Sequence, residues 1–387
     1  MQWINFLHLY QPANADGHVI EEATEMSYER IVKALEEHPH IKFTLNISGC
    51  LVLRWEEFKY FDLIKRIKKL IAKDQIELVG SAAYHPLLPL IPKKEVEMQI
   101  QENEDILRYY FGKRIKLKGF FMPEMAYSKE AAKTIKKKGY KWVILDEITS
   151  NGKLNNVDFE KIYKDKNSGL DIIFRSRKYS SNYVPEFLKK QLQKDNNSLY
   201  ITATDGELYG LRHIDPKGKF ENFLDMKEYE TNTISAYLST IKEREEIKPV
   251  DSSWESTEKE LAEKQPYALW QNDKNEIQNR LWELANLSYK TVERYKNDDN
   301  YNWARWHLVR GLSSCSFWWA SAKDFRKVFG PYAWNPDEIE RGTNELIRAV
   351  RALDDVTSRP TKIKAEKLYI KIKQRVWDQH WNYYWKK

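Results

Sequence analysis

The sequence predicts an α/β fold in which parallel βα units fill roughly the first 215 residues and a helical region follows. Three observations carry this reading. Short β-branched or aromatic runs alternate with helix-period stretches as far as residue 210. The strand pattern then stops, and the remaining periodicity is helical. Finally, 42% hydrophobic and 31% charged residues in 387 support a large core and exclude a disordered chain.

The strands read in order as "WINFLHL" from Trp3, "KFTLNI" from Lys42, "QIELVG" from Gln75 and "KLKGFF" from Lys116, then "KWVIL" from Lys141, "DIIFR" from Asp171 and "LYITAT" from Leu199. Between most of them lie helical patterns such as "SYERIVKALEEH", "FDLIKRIKKLIAK" and "SKEAAKTIKKKG". Ser128 is the expected N-cap of the last of these and Gly139 its C-terminal glycine. Seven parallel strands close as an incomplete barrel or lie open as a doubly wound sheet. Beyond residue 215, "DMKEYETNTISAYLSTIKEREE", "EIQNRLWELANLSYKTVERYK", "WARWHLVRGLSSCSFWWASA" and "DEIERGTNELIRAVRAL" read as helices of a bundle. The segment "KPVDSSWESTEKELAEKQPYALWQND" reads as a long loop or a helix–loop excursion. The expected division is 1–215 and 216–387.

The net charge of +7 is small against 64 basic and 57 acidic side chains, and runs such as "KRIKK" alternate with acids. They read as solvated helix faces, so no nucleic-acid partner is expected. Two cysteines, Cys50 and Cys315, make no disulfide framework or metal motif. No basic-then-apolar leader opens the sequence and no run of about 18 apolar residues occurs, so a cytoplasmic location without a membrane partner is expected. Fourteen Trp and 23 Tyr suit stacking on sugar rings as well as ordinary packing.

Active sites of parallel barrels and open sheets form where the strands end. The residues there are His8, Tyr10 and Gln11, then His85, Glu124, Asp146 with Glu147, Arg175 with Arg177, and Asp205 with Glu207. Glu124, in "GFFMPEMAYS", is delivered by an apolar strand behind Pro123 and ringed by Met122, Met125 and Tyr127. A carboxylate so placed is costly without a task or a partner. Two carboxylates at one barrel rim can run glycoside chemistry, one attacking the anomeric carbon and the other protonating the leaving oxygen. A cation held by His8, His85, Asp146 and Asp205 is the weaker reading. No HExxH, phosphate loop, dinucleotide fingerprint or Gly-x-Ser-x-Gly elbow occurs, and "HPH" at His38–His40 reads as surface, so no metal or cofactor is expected.

These residues also carry a resemblance. "HLYQP" from His8, "IELVGSAAYHPLLPLIP" from Ile76, "GFFMPE" from Gly119 and "DGELYG" from Asp205 resemble, in order, the first four motifs of glycoside hydrolase family 57. That family contains α-amylases, amylopullulanases, 4-α-glucanotransferases and branching enzymes. The resemblance implies a (β/α)7 incomplete barrel and then a C-terminal helical bundle, with 1–215 as catalytic barrel and 216–387 completing the substrate cleft. It implies Glu124 as nucleophile and Asp205 as general acid/base of a retaining mechanism, and His8, Gln11, His85 and Glu207 as sugar-binding neighbours. "GLSSCSFWWAS" from Gly311 is similar to the fifth motif and gives Trp318 a stacking role. Three positions depart from the pattern. Tyr10 stands for a second His, Cys315 for an Asp, and Arg212 with His213 follow where some members place a Trp.

The expected function is thus a retaining glycoside hydrolase on α-glucans or malto-oligosaccharides, α-amylase-like with α-1,4 bonds foremost. The alternatives are a 4-α-glucanotransferase or branching-type transglycosylase on the same fold, a metal-dependent polysaccharide deacetylase-like barrel, and a non-catalytic glucan-binding protein. Glu207 is expected to raise the proton affinity of Asp205 if their side chains approach.

Overall fold

The structure, a computed structural model, describes residues 1–194, 198–322, 324–327 and 330–384. The chain divides into two compact units, Met1–Ala83 with Leu88–Leu261 and Tyr84–Leu87 with Ala262–Lys387.

All seven expected strands form in the first unit. They are β1 (Gln2–Leu9), β2 (Phe43–Ile47), β3 (Ile76–Leu78), β4 (Gly119–Phe121), β5 (Trp142–Asp146), β7 (Asp171–Arg175) and β8 (Leu199–Asp205). A further strand, β6 (Tyr163–Asp165), precedes β7. One sheet runs β3-β2-β1-β8 with every pair parallel. The other holds β4, β5 and β7, again parallel. Two narrow seams join them into an incomplete barrel. At one, the Gly80 N–H donates to Gly119 O at 3.0 Å and the Phe121 N–H to Gly80 O at 2.9 Å. At the other, the Ser176 N–H donates to Ile201 O at 3.1 Å. The first seam needs glycine on both sides. A Cβ on Gly80 would lie 2.1 Å from the Tyr140 hydroxyl, and one on Gly119 2.1 Å from the Trp142 ring.

Small strands absent from the sequence reading extend this framework. β6 pairs antiparallel with the start of β7, β9 (Glu230–Thr231) runs parallel to the start of β1, and β10 (Glu245–Ile247) lies beside β6. Residues 216–261 therefore lie in the barrel unit rather than with the helical region, and the expected helix over 225–246 is broken into short pieces. Phe220, Phe223 and Leu224 join the layer between strands and outer helices, with the Phe223 ring 5.6 Å from that of Trp3. Ile234, Tyr237 and Leu238 join the barrel interior. That apolar surface holds the segment to the barrel.

Local signals behave as the chemistry requires. Ser128 accepts from the Ala131 N–H at the helix Lys129–Lys137, and Gly139 follows it at φ 99°. His38 is buried rather than on the surface, because its ring meets Ala34 O and Asp225. The second unit is helical, with helices Glu276–Arg294, Tyr301–Gly311, Ser314–Trp319, Pro336–Arg351 and Arg359–Tyr384. Asn275 and Asn335 cap two of them through their side-chain oxygens. A two-stranded antiparallel ribbon, Asp324–Lys327 with Gly330–Tyr332, interrupts the expected run of helices. Among the described residues no helix is long and apolar enough to cross a membrane.

Candidate active site

Side chains alternate across a strand, so residues two apart share the barrel's inner face. Ile4 and Phe6 of β1, Trp142 and Ile144 of β5, Ile173 of β7, and Ile201 and Ala203 of β8 all lie in the interior cluster. The next inward positions are His8, Asp146, Arg175 and Asp205. The inward layer at the strand ends is therefore polar above apolar layers. Register sets His8 opposite Asp205, and Asp146 opposite Arg175. Asn46 of β2 stands opposite His8 on its other side.

Glu124 follows β4 on a single tight turn, Pro123–Met125. Glu124 and Met125 both adopt positive φ, 60° and 46°. Such backbone costs on the order of 1–3 kcal/mol per residue and persists only where its surroundings enforce it. A strap formed by residues 250–256 does so. The Tyr127 N–H donates to Ser252 O at 2.8 Å and the Trp254 N–H to Glu124 O at 3.0 Å. The Trp254 indole Nε1–H then donates to Glu124 Oε2 at 2.9 Å. The Trp254 ring also approaches His8, with centroids 6.2 Å apart. His8 thus links the Glu124 turn to the end of β8.

Asp205 ends β8 and pairs with Arg212, whose Nη1 donates to Oδ2 at 2.7 Å while the rest of the arginine side chain stays half-exposed. Glu207 is buried one turn on. Its Oε1 accepts from Gln11 Nε2 at 2.8 Å and from the Tyr28 hydroxyl. The Arg212 N–H donates to Glu207 O at 2.7 Å. Burial, and then the charge of Asp205, push Glu207 up to about 7 against the pull of Arg212 and Tyr28. The two acids of Asp-Gly-Glu do interact, and Gln11 and Glu207 hold each other.

His8 Nδ1 lies 2.7 Å from Asn46 Oδ1, which places the ring proton on Nδ1. Its ring stacks on Tyr10, centroids 5.7 Å apart, and packs at 4.5 Å on Phe121. Burial lowers its pKa to about 4 despite the pull of Asp205 and Asn46. The imidazole is therefore neutral at neutral pH.

These two groups link stability to pH with opposite signs. Glu207 rises from 4.5 to about 7, so its contribution is complete below 4.5 and lost as pH climbs through 7. His8 falls from 6.5 to about 4, so its contribution is complete above 6.5 and lost as pH drops through 4. Each shift is worth about 3 kcal/mol across its window, and between pH 4.5 and 6.5 the two largely cancel. Removing either exposes the other. His8→Asn gains stability relative to wild type as pH falls through that interval, and Glu207→Gln loses it. Urea midpoints measured against pH read both slopes, and parallel curves for the three proteins would contradict the assignment.

Asp146 is fully buried and carries two guanidinium groups. Arg175 Nε donates to Oδ2 at 2.8 Å and Arg177 Nη2 to Oδ1 at 2.7 Å. Arg175 also lies over the Trp254 ring, 5.0 Å from its centroid, and Arg177 Nη1 donates to Ser256 O at 2.8 Å. Glu147 accepts the N–H groups of Arg177 and Asn155 at 2.8 and 2.6 Å. The charges after β5 and β7 thus anchor the strap. Among the described residues no three His, Cys, Asp or Glu side chains gather as metal ligands.

The family model described as glycosyl hydrolase family 57 matches residues 6–253, which is more than half of the chain. The chain belongs to glycosyl hydrolase family 57. Curated relatives include an α-amylase of Pyrococcus abyssi, 29% identical over 245 residues, covering 58% of this chain and 36% of that protein. A 4-α-glucanotransferase of Thermococcus litoralis is 28% identical over 288 residues, covering 68% and 43%. The chain thus spans less than half the length of these curated relatives. Among solved structures, the Thermococcus litoralis 4-α-glucanotransferase superposes with a TM-score of 0.72 at 21% identity, over 92% of this chain and 60% of that one. The family 57 branching enzyme of Pyrococcus horikoshii gives 0.69 at 14% identity, over 96% and 95%. These likenesses show the fold of the family, an incomplete barrel with a C-terminal helical region.

Of the family-57 positions expected from sequence, His8, Gln11, Glu124, Asp205 and Glu207 stand in the barrel unit. His85 and Trp318 stand in the helical unit. His85 has φ 56°, its Nδ1 lies 3.0 Å from Ser314 Oγ, and its carbonyl accepts the Ser314 N–H at 3.0 Å. Trp318 is half-buried near the end of the helix Ser314–Trp319, edge-on to Trp319 at 4.5 Å, with Cys315 earlier on the same helix. The sequence reading missed four contributors. Asn46 was legible as the last inward residue of β2, and Trp254 as a lone tryptophan in a Ser-rich connection. The hydroxyl of Tyr28 left no signal, because it reaches Glu207 across 179 residues, and Arg212, read only as a departure from the motif, pairs with Asp205 seven residues away.

Proposed function

We propose that this protein is a retaining α-glucan hydrolase acting on α-1,4 bonds, with Glu124 as nucleophile and Asp205 as general acid/base. The observation that carries this reading is the fixed Glu124 carboxylate, held from below by a tight turn and from the side by the Trp254 indole. Glu124 Oε attacks the anomeric carbon and forms the glycosyl–enzyme ester. The glycosidic C–O bond breaks and its oxygen takes the proton of Asp205. Water then gives its proton to Asp205 and attacks the same carbon, releasing Glu124 and a sugar of retained configuration. Arg212, half-exposed beside Asp205, gives way as the sugar enters. Neutral His8 accepts from a sugar hydroxyl through Nε2 without competing for the catalytic proton. For Gln11 and Glu207 the sugar-contact role extends through their mutual bond. For His85 and Trp318 it rests on motif resemblance alone. The low cysteine count suits work in a reducing cytoplasm.

Transfer to a second sugar, in place of water, is the companion reading. It is favoured by the 4-α-glucanotransferase of Thermococcus litoralis, which matches 68% of this chain. Incubation with maltoheptaose followed by chromatography separates the two. Only shorter products mean hydrolysis, and longer products alongside them mean transfer. Unchanged maltoheptaose, bound but not turned over, would leave a glucan-binding protein and overturn the enzyme reading.

A further inference from the structure

Trp254 packs against the interior cluster, its ring 5.9 Å from that of Phe121, but packing does not account for its polar contacts. It lies in a connection with no regular structure, is only half-buried, and makes two hydrogen bonds to one residue, through its backbone N–H and its indole N–H. Its other contacts explain how it stays there. Arg175 covers the ring at 5.0 Å and reaches the Trp254 carbonyl at 3.4 Å, and the same arginine is fixed by Asp146 and by Ala203 O at 2.8 Å. The result is a relay of fixed groups running from the ends of β5 and β7 to the Glu124 carboxylate.

Resting on the reading of Glu124 as nucleophile, we infer that Trp254 is a positioning residue for it, locked by Arg175, whose indole N–H holds the Glu124 carboxylate ionised and aimed. A donor to a carboxylate favours the charged form and restricts its rotation. Attack needs both. Among the described residues, charged or titratable groups around this assembly include His8 of β1, Asp205 of β8, Asp146 and Arg177 behind Arg175, and Glu255 next in the strap. All remain in place when only the indole N–H is removed.

Trp254→Phe keeps a ring under Arg175 and deletes the donor. With a nitrophenyl malto-oligoside, kcat/KM falls about ten- to a hundredfold and its acidic limb moves up by about one pH unit. KM changes little. Trp254→His, which keeps a ring N–H, restores part of the rate and part of the limb. A purely structural tryptophan would lower the amount of folded enzyme without moving the limb. If Trp254→Phe does not fold, wild-type protein carrying 15N-labelled tryptophan gives the answer. One indole N–H resonance follows the acidic limb, and in Glu124→Gln none does. An unmoved limb in folded Trp254→Phe, or no titrating indole in wild type, overturns the inference. Failure of the underlying reading looks different. Glu124→Gln then retains activity, and Glu124→Gly gives no glycosyl azide when supplied with azide.

Discussion

Glu124→Gln is expected to lower turnover of maltoheptaose at least about a thousandfold while leaving the fold intact. The substitution replaces one oxygen by an amide nitrogen and preserves the other as an acceptor. The Trp254 indole therefore keeps its partner, and the backbone bond from Trp254 to Glu124 is untouched. Only the negative charge disappears, and with it the nucleophile. Thermal midpoints within a few degrees of wild type would separate lost chemistry from lost structure. Asp205→Asn gives the complementary pattern. It abolishes action on maltoheptaose, whose leaving hydroxyl needs a proton. It spares much of the first step on a nitrophenyl malto-oligoside, whose leaving group departs without one. Product formation should then slow after an initial burst, since a side-chain amide cannot take a proton from the attacking water. Equal loss on both substrates would argue against Asp205 as the acid.

Asp146→Ala should cause the largest loss of stability at the strand ends, about 3–5 kcal/mol. Asp146 is fully buried and neutralises Arg175, whose side chain is 9% exposed, and Arg177, at 22%. Alanine leaves two guanidinium groups in a poorly hydrated layer with only the more distant Glu255 as counter-charge. Because the pair is buried, added salt should recover little of the loss. Urea unfolding measures the effect, and Asp146→Asn, which retains an acceptor, should fall between alanine and wild type. Activity should drop as well, because Arg175 holds the tryptophan that holds Glu124. A neutral Asp146→Ala would mean that water already screens the cluster.

The sequence determined the seven main strands by itself because short β-branched and aromatic runs between helical patterns must be buried. "WINFLHL" and "LYITAT" put His8 and Asp205 at strand ends, and strand pairing then sets them opposite each other above the interior layer of Ile4, Phe6, Ile201 and Ala203. Glu124 was legible because an apolar strand and a proline deliver a carboxylate where burial is expensive. The Ser128 cap was legible because its bond is local. Most of what failed to show depends on partners elsewhere in the chain. β6, β9 and β10 are short and polar, and exist through pairing rather than hydrophobicity. Residues 225–246 carry helical spacing, yet they break into pieces because their aromatic and aliphatic side chains fill barrel layers.

The sequence alone thus determined the seven main strands and the acids at two of their ends, since local propensity and burial fix those. Only the tertiary structure decided what those acids touch. Trp254, 130 residues beyond Glu124, binds its carboxylate, and Tyr28, 179 residues before Glu207, binds another. Such contacts follow from how distant segments close over one another, and no periodicity within either segment encodes the meeting.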